Sequence, residues 1–293
     1  RYPPEGKVDT VCDALPLRNG IAQRLRDLGC TVNHHTAGVL WLDDQIGAIL
    51  DKLESMGAID NTILVFCTDH GVEPGKTTLY ERGINVPCFV AAPGMKNGNV
   101  SHMMVQNTDM LPTLLDLCGI AYDPSDLDGR SMVPLLRGPQ EQIHEELFFE
   151  FGYMRGVRTP QWKYIALRYP ERVIEKMRAG GFDVGPNQTD RYQPNAQVAL
   201  SFYRAFYDPD QLFDLRSDPY EEKNLAGDPQ FASVLEEMKG RMQRYLEKQP
   251  HPYELSVPEY MTTDAYRELV RKRVALGAGI VGWWDDSLWD ELL

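Results

Sequence analysis

The sequence has few cysteines, and none of them stands in a pattern typical of a metal knuckle or a disulfide framework. The 293 residues include five, Cys12, Cys30, Cys67, Cys88 and Cys118, an odd number without a C-x-x-C pair. A zinc knuckle is therefore not expected. Because the last three lie in apolar runs, we predict that they are buried as small hydrophobic residues. The cysteines leave the redox compartment open.

Long apolar runs and an excess of positive charge are also missing. No apolar run approaches the roughly 18 residues that a membrane span needs, and no basic segment followed by an apolar stretch opens the sequence as in a signal peptide. The 30 Lys plus Arg face 43 Asp plus Glu, a net charge of −13. Because nucleic-acid phosphates are bound by clustered Lys and Arg, this balance argues against general nucleic-acid binding. A bound cation, or a local basic pocket for an anion, remains compatible with it.

The first 140 residues alternate between helix and strand patterns. Apolar residues over 39–53 are spaced by one, three and four positions, which predicts an amphipathic helix that ends near Gly57. The apolar run 62–67 is typical of a strand buried on both faces of a parallel sheet, and 86–92 is a second such run. A further helix is predicted over 109–117, with its first residue as N-cap. This alternation indicates an α/β domain.

The second half has a different pattern, with short strands separated by turn residues. It predicts a small antiparallel sheet, a loop-rich insertion over 171–210 and an amphipathic packed helix over 231–245. We therefore divide the chain into an α/β domain portion (1–140), a small α+β subdomain (141–253) and a C-terminal extension (254–293). The predicted strands are 146–151, 156–158, 163–167 and 212–215.

Polar residues able to bind a metal and an anion follow the first predicted strand. Asp69 and His70 are adjacent at its carboxyl end, where ligands bind in open α/β sheets. A carboxylate and an imidazole can share a divalent cation. Gly71 and Gly75 permit tight turns that would bring Lys76 over the same point. A cation and an ammonium there would bind a tetrahedral oxyanion such as sulfate or phosphate.

The run D-H-G-V-E-P-G-K-T-T-L-Y-E-R-G over 69–83, with the strand after it, resembles the C-terminal metal-and-lysine motif of the sulfatase family, in the alkaline phosphatase superfamily. The resemblance extends from about residue 37 to 250, and the motif spacing is closest to the sulfamidase-like, heparan N-sulfatase-like branch. The other agreeing stretches are Trp41 to Gly47, Asp109 to Asp116, Arg155 to Thr159, Trp162 to Ile165, Leu212 to Leu215, Asp218-Pro219, Glu222 and Asn224-Leu225.

The resemblance implies an alkaline phosphatase-like α/β sandwich, of which this chain holds the C-terminal part of the large mixed sheet with flanking helices, plus the small antiparallel subdomain. Asp69 and His70 would be metal ligands, and Lys76 would bind the sulfate and its bridging oxygen. Many sulfatases have Asn where His70 stands, so Mn²⁺ is an alternative to the usual Ca²⁺. Arg158 and Lys163 are candidate anion ligands, although surface charge at a strand edge is the expected role.

Sulfatases also need a formylglycine nucleophile, made within a C-x-P-S-R type motif, and an upstream aspartate pair for the metal. None of the five cysteines stands in such a motif, and the chain begins at Arg1 rather than Met. We therefore interpret it as the C-terminal portion of a sulfatase acting on a sulfated small molecule or glycan. It would lack the N-terminal part of its catalytic domain and show no turnover alone. The resemblance suggests a periplasmic, secreted or lysosomal location.

Two alternatives remain open at this point. One is a phosphodiesterase or phosphonate monoester hydrolase of the same superfamily, which the adjacent aspartate and histidine also permit. The other is a non-catalytic sulfatase-like fragment. Hydrolysis of sulfate against phosphate esters would separate the first from a sulfatase, and the upstream coding sequence would identify the second.

Overall fold

The computed structural model describes residues 15–16, 20–71, 78–95, 98–138, 142–179 and 203–277. Contacts divide the chain into two compact units, one with the described residues up to Ile63 and the other with those from Leu64 onward. The domain boundaries predicted after residues 140 and 253 remain predictions.

The first unit contains helices α1 (Ile21–Asp27) and α2 (His34–Ser55). A capping box starts α2, because the Asn33 side chain accepts the Thr36 backbone N–H at 2.9 Å while the Thr36 hydroxyl accepts the Asn33 N–H at 3.1 Å. Gly57 follows the helix with φ of +65°, a conformation that glycine adopts without strain. The helix predicted over 39–53 is confirmed.

In the second unit, strands β1 (Leu64–Cys67) and β2 (Cys88–Ala91) form a two-stranded sheet. Both predicted strands exist, but they pair antiparallel, with Leu64 opposite Ala91. The expected burial on both faces of a parallel sheet is wrong for the described residues, since Phe89 is 66% exposed. An apolar run reports a preference for burial; it does not determine the direction of the neighbouring strand.

The cysteine prediction is wrong for the same region. Cys67, Cys88 and Cys118 are all exposed, as is Cys30. The first two are opposite each other on β1 and β2, and the described part of the chain does not bury either. An apolar run is buried only where other parts of the chain pack against it, so its composition alone did not predict the exposure of these cysteines.

Three helices follow the two strands or lie between them: α3 (Glu81–Ile84), α4 (Met110–Leu117) and α5 (Val133–Arg137). Helix α4 confirms the prediction for 109–117, and Gly119 follows it with φ of +68°. The predicted N-cap does not cap α4 with its side chain; its carboxylate binds elsewhere, as described below.

A four-stranded antiparallel sheet forms the centre of the second unit. Its strands are β3 (Leu147–Phe151), β4 (Met154–Arg158), β5 (Trp162–Leu167) and β6 (Asp210–Asp214), paired in sequence order. Register places Val157 opposite Tyr164 and Tyr164 opposite Leu212. The predicted small antiparallel sheet is therefore confirmed, and β4 and β5 are its inner strands.

Both faces of this sheet are covered. Helix α7 (Ala232–Leu246) packs on one face through Met238 and Met242, which confirms the predicted packed helix. The opposite face is covered by Leu79 and Tyr80 and by helices α6 (Glu171–Arg178) and α8 (Asp264–Gly277). Because α6 is regular and inserts apolar side chains into the core, the insertion predicted as loop-rich begins with a helix. Residues 180–202 of that insertion lie outside the described residues.

Within the described residues, none of the helices combines the length and the apolar character that a membrane crossing requires.

Candidate metal and anion site

The predicted metal ligands lie directly beyond β1. Asp69 is 85% exposed, and its Oδ2 is 3.3 Å from Nε2 of His70, whose side chain is 42% exposed. The other imidazole nitrogen, Nδ1, is 2.7 Å from the Gly71 carbonyl oxygen. Since a carbonyl only accepts, Nδ1 carries the proton of this bond, and in neutral imidazole Nε2 is then unprotonated. A carboxylate oxygen and an unprotonated imidazole nitrogen therefore lie close together.

The lone pairs of these two atoms repel unless a proton or a cation lies between them. Ligands at neighbouring positions of one ion, each bonded at about 2.1 to 2.4 Å, are roughly 3.3 Å apart, so the observed spacing fits a shared divalent cation. The hydrogen bond from Nδ1 to a backbone carbonyl is the usual means of orienting a metal-binding histidine. Within the described ranges, no third His, Cys, Asp or Glu completes a cluster with this pair.

The loop that follows is closed at its base by two glycines. The Gly71 N–H donates to the Gly83 carbonyl oxygen at 2.9 Å, and a Cβ on Gly71 would lie 1.7 Å from the Arg82 carbonyl oxygen. Only glycine fits this close backbone approach. Lys76, the predicted catalytic and anion-binding residue, lies in the segment 72–77, outside the described residues. Its role remains a prediction.

The end of this loop is fixed in the core of the second unit. Tyr80 is completely buried, its hydroxyl donates to Oε1 of Gln211 at 2.7 Å, and its ring stacks on Tyr203 at a centroid distance of 3.7 Å. Burial raises the pKa of the Tyr80 phenol well above its usual value, with the charges of Glu221 and Asp208 adding to the effect. The neutral phenol is therefore a stable hydrogen-bond donor that fixes the C-terminal end of the loop.

A network of four charged residues lies next to the Tyr80 anchor; Lys163 and Glu221 are buried, and Glu81 and Arg158 are half-buried. Nζ of Lys163 is 2.7 Å from Oε1 of Glu81 and 2.7 Å from Oε1 of Glu221, and Nε of Arg158 donates to Oε1 of Glu81 at 2.9 Å. Burial acts to raise the pKa of Glu81, but Lys163 and Arg158 outweigh burial and lower it. Glu221 is more deeply buried, and burial raises its pKa despite Lys163. The charges balance, which a buried ionic network requires.

The expectation of surface charge at a strand edge for Arg158 and Lys163 is thus wrong. Both are on inner strands, Lys163 is completely buried, and the Arg158 guanidinium pairs with Glu81. The alternation of side chains along β5 was the sequence feature that indicated the burial of Lys163. Lys163 shares its face with the buried Ile165 and Leu167, and a lysine on an inward face requires a buried carboxylate. A substrate-binding role for Arg158 stays an untested prediction.

Glu221 is one of the residues that the sequence did not single out. Its φ is +59°, in the left-handed region that non-glycine residues rarely adopt. This backbone directs the side chain inward, where Oε2 accepts the backbone N–H of Glu81 at 2.6 Å while Oε1 binds Lys163. Glu221 thereby fixes the first residue of α3. A non-glycine residue in this conformation depends on surrounding contacts to hold it.

Asp109 and His144 form a second buried pair that the sequence did not predict. Nε2 of His144 is 2.9 Å from both oxygens of the fully buried Asp109 carboxylate, which also accepts the backbone N–H groups of Gln106 and Arg130 at 2.8 Å. The carboxylate joins three loops around α4. Its partners are as many as 35 residues away, so helix capping was the only local role that the sequence indicated.

In the first unit, α2 carries two adjacent acidic residues, Asp43 and Asp44, and two adjacent histidines, His34 and His35. Asp44 accepts two hydrogen bonds from Arg24, both at 2.6 Å, and the rings of His34 and His35 lie 3.8 Å apart. Among the described residues, none of these belongs to a cluster of three or more potential metal ligands. The Asp44 carboxylate thus links α2 to α1 through Arg24.

Comparison with known protein families agrees with this architecture. Residues 14–120 match the family model described as "Sulfatase", and residues 69–175 match "N-sulphoglucosamine sulphohydrolase, C-terminal". The two matches overlap over 69–120, which includes Asp69, His70 and the loop anchored by Tyr80. The second description agrees with the predicted sulfamidase-like branch.

Curated relatives and solved structures lead to the same family. An ulvan-active sulfatase of Formosa agariphila is 32% identical over 196 residues, which cover 64% of this chain and 38% of the relative. A solved 2-O GAG sulfatase aligns with a TM-score of 0.52 and 28% identity, covering 73% of this chain and 42% of that one. The chain spans well under half the length of these proteins.

A phosphonate monoester hydrolase from Silicibacter pomeroyi aligns with a TM-score of 0.53 and 22% identity, over 77% of this chain and 44% of that one. At this identity the likeness concerns the fold alone. The predicted alkaline phosphatase-like α/β class, with its antiparallel subdomain, is confirmed by these neighbours together with the observed sheets. The two matching family models and the sulfatases aligned with it show that this chain is similar to the sulfatase family over residues 14–175.

Proposed function

We propose that the chain is the C-terminal portion of a metal-dependent sulfatase that hydrolyses a sulfate ester or an N-sulfate on a carbohydrate. The observation that supports this most strongly is the pairing of Asp69 with His70 at the end of β1, 3.3 Å apart and inside the segment that both family models match. The second matching description, an N-sulphoglucosamine sulphohydrolase, favours a sulfated amino sugar over an aryl sulfate.

In this proposal Asp69 and His70 hold a divalent cation, Ca²⁺ or, because imidazole is a ligand that softer ions accept, Mn²⁺. A bound cation offsets negative charge that develops on the sulfate oxygens. Lys76 binds the same sulfate and its bridging oxygen, and Arg158 is a further candidate for an anionic substrate. The backbone hydrogen bond between Gly71 and Gly83 and the buried Tyr80 fix the two ends of the loop, and precise positioning of catalytic groups requires such fixed supports.

The remaining groups come, in our proposal, from the N-terminal part of the same domain. These are the formylglycine nucleophile and an aspartate pair that completes the metal site. Two observations favour a partner of this kind: the chain spans 38% of the ulvan-active sulfatase, and β1 and β2 expose apolar side chains such as Phe89 and Val65. Added strands and helices of an α/β domain would cover these faces.

Sulfate release by a longer protein that includes a C-x-P-S-R motif tests the proposal. We expect hydrolysis of glucosamine 6-sulfate or N-sulfoglucosamine that depends on a divalent cation, and much weaker hydrolysis of phosphate monoesters, diesters and phosphonate esters. The 293-residue chain alone should hydrolyse none of them. Preferential cleavage of phosphonate or phosphate diesters would replace the sulfatase with a phosphonate hydrolase, and the absence of any turnover would favour a non-catalytic protein.

The metal ligands can be tested on the chain itself by calorimetric titration with Mn²⁺ and Ca²⁺. We expect weak binding, because two ligands alone complete less than half of a coordination shell, and we expect Asp69→Asn and His70→Ala each to abolish it. Asp264→Asn is the matched control, since that carboxylate is 98% exposed and, among the described residues, pairs with Arg267 within its own helix turn. Equal binding by all variants would place the metal elsewhere.

The similarity to sulfatases also leads us to propose a periplasmic, extracellular or lysosomal location. Fractionation of source cells with an antibody against this chain tests it. Recovery with the cytosolic markers would contradict the proposal.

A further inference from the structure

Strands β1 and β2 each carry one cysteine at the end that faces the connecting segment. Cys67 is the last residue of β1, and Cys88 is the first residue of β2. The segment between them, 68–87, contains the candidate metal ligands Asp69 and His70. The two cysteines therefore stand where the chain leaves the two-stranded sheet and where it returns to it.

The register of the sheet places the two cysteines directly opposite each other. They are Cα partners in the antiparallel pairing of β1 with β2. Opposed residues of an antiparallel pair project from the same face, with their Cα atoms about 4.5 or 5.5 Å apart. Disulfides span Cα separations of about 4.4 to 6.8 Å. The backbone thus satisfies the distance requirement of a disulfide for either type of opposed pair.

The adjacent pair of side chains shows that opposed residues meet across these strands. Phe66 and Phe89 are the next partners in the register, and their ring centres are 5.8 Å apart. Because successive side chains of a strand alternate between the two faces, the phenylalanines occupy one face and the cysteines the other. Cys67 and Cys88 are therefore neighbours on a single face of the sheet.

The surroundings of the two thiols allow a bond to form. Both cysteines are free and exposed, so a soluble oxidant can reach them. Opposed Cβ atoms are about 4.5 to 5.5 Å apart, and a disulfide brings them to about 3.8 Å. A sheet of two strands is only marginally stable by itself, and in the described chain this sheet exposes apolar residues. Its strands can therefore make the small approach that the bond requires.

We propose that Cys67 and Cys88 are a redox-sensitive pair that forms a disulfide between β1 and β2 and thereby holds this sheet together. The reaction needs a small disulfide as oxidant, for example oxidised glutathione. One cysteine thiolate attacks a glutathione sulfur and releases a first glutathione thiolate, and the second cysteine attacks the protein sulfur of the mixed disulfide and releases another. The two cysteines lose two electrons and two protons, which the two glutathione molecules gain.

Incubation of the 293-residue chain with an equimolar mixture of reduced and oxidised glutathione tests the proposal. After alkylation with iodoacetamide, proteolysis and mass spectrometry, we expect the peptides that contain Cys67 and Cys88 as one linked pair, which dithiothreitol separates. Recovery of both as alkylated thiols, as separate glutathione adducts or in links to other cysteines would overturn the proposal.

A glutathione titration shows whether the folded sheet directs the bond. It gives the equilibrium constant for forming the Cys67–Cys88 link, which we expect to fall about tenfold in urea that unfolds the chain. The reason is that the sheet holds the cysteines opposite each other, whereas the unfolded chain must first close a loop to bring them together. An equilibrium constant that urea leaves unchanged would contradict a role of the register.

Hydrogen exchange measures whether the bond holds the sheet together. We expect the backbone amides of β1 and β2 to exchange about tenfold more slowly in the oxidised chain, because the bond restricts local opening of the two strands. Amides of the inner strands β4 and β5 are the internal control and should exchange equally in both forms. Equal exchange of β1 and β2 in both forms would refute the stabilising role.

Two variants and a control locate the bond. Cys67→Ser and Cys88→Ser should each abolish the linked pair and leave the remaining cysteine as a thiol or a glutathione adduct. Cys118→Ser is the matched control, because Cys118 is also a free, exposed cysteine but follows α4. The yield of the linked pair should be the same in this variant as in the unsubstituted chain. A loss of the link in Cys118→Ser would contradict the assigned pairing.

The outcome is independent of the proposed sulfatase activity, since the bond requires neither a metal nor a substrate. A linked pair in a protein that hydrolyses no sulfate would support the disulfide and refute the reaction. Sulfate release by a longer protein whose Cys67 and Cys88 stay unlinked in the same glutathione mixture would support the reaction and refute the disulfide.

Discussion

The two antiparallel sheets of the second unit differ in how far the described chain surrounds them. The four-stranded sheet has helices or buried segments on both faces, and its Ile165 and Phe213 side chains are completely buried. The β1–β2 sheet has equally apolar strands, but Phe89 is 66% exposed. Apolar sequence alone therefore does not distinguish a sheet that the chain itself covers from one that depends on further packing.

The difference bears directly on the candidate site. Asp69 and His70 extend from the exposed sheet, whereas Tyr80 and Glu81, at the other end of the same loop, are fixed to the buried sheet by Gln211 and Glu221. The motif thus joins a rigid anchor within this chain to an end that carries the candidate metal ligands, and the surroundings of that end are incomplete among the described residues. Substitutions at the two ends should differ sharply in their effect on stability.

The largest effect is expected at the anchor, from Lys163→Met. This change leaves the Glu81 and Glu221 carboxylates buried with only Arg158 to balance them, and removing one member of a buried ionic cluster costs about 3 to 5 kcal/mol. Urea unfolding of the chain measures it. Lys272→Met is the control: that lysine is 71% exposed, and a change within about 0.5 kcal/mol is expected for such a surface site. Similar values for both variants would mean that the network does not stabilise the anchor.

A smaller, pH-dependent effect is expected at Asp210 in β6. Its carboxylate accepts hydrogen bonds from Tyr164 and Arg168, each at 2.7 Å. Burial acts to raise its pKa, but Arg168 and the hydrogen bonds outweigh burial and lower it below the ordinary value of 3.8. A lowered folded-state pKa stabilises the fold above the unfolded-state pKa, and this contribution is lost as the pH falls through the folded-state value.

Asp210→Asn should therefore destabilise the chain at pH 7 by about 2 kcal/mol, the range for hydrogen bonds to a charged group. The difference from the unsubstituted chain should shrink below about pH 4. Asp69→Asn, measured in the same urea titrations with a chelator present, is the matched comparison and should change the free energy of unfolding by less than about 0.5 kcal/mol, because Asp69 is 85% exposed. A difference at Asp210 that persists at low pH would contradict the assigned ion pair.

The sequence predicted the features that depend on local interactions and missed those that depend on contacts between distant residues. Helices α2, α4 and α7 and the four strands of the small sheet follow from local periodicity, and all are confirmed. The antiparallel pairing of β1 with β2 was missed, because an apolar run does not encode the direction of its neighbour. The network was missed because Glu221 lies 140 residues from Glu81 and 58 from Lys163.

The candidate site divides in the same way. Asp69 and His70 are adjacent in sequence, so their proximity was predictable and their spacing of 3.3 Å agrees with it. The anchor of the same loop joins Tyr80 to Gln211, 131 positions away, and the sequence held no local sign of it. The left-handed conformation of Glu221 was equally hidden, since glutamate rarely adopts it.

The smallest effect is expected on the exposed sheet, from Phe89→Ala. In this chain the ring is 66% exposed, so truncating it creates no cavity and should change the free energy of unfolding by less than about 0.5 kcal/mol. If the N-terminal part of the domain covers β2 as proposed, the same substitution in a longer protein should cost about 3 to 5 kcal/mol, as for a buried phenylalanine. Unfolding curves of both proteins provide the comparison. A small cost in both proteins would mean that Phe89 stays at the surface and that the β1–β2 sheet is also exposed in the longer protein. A large cost confined to the longer protein would show that the contrast arises only when these strands lack their covering.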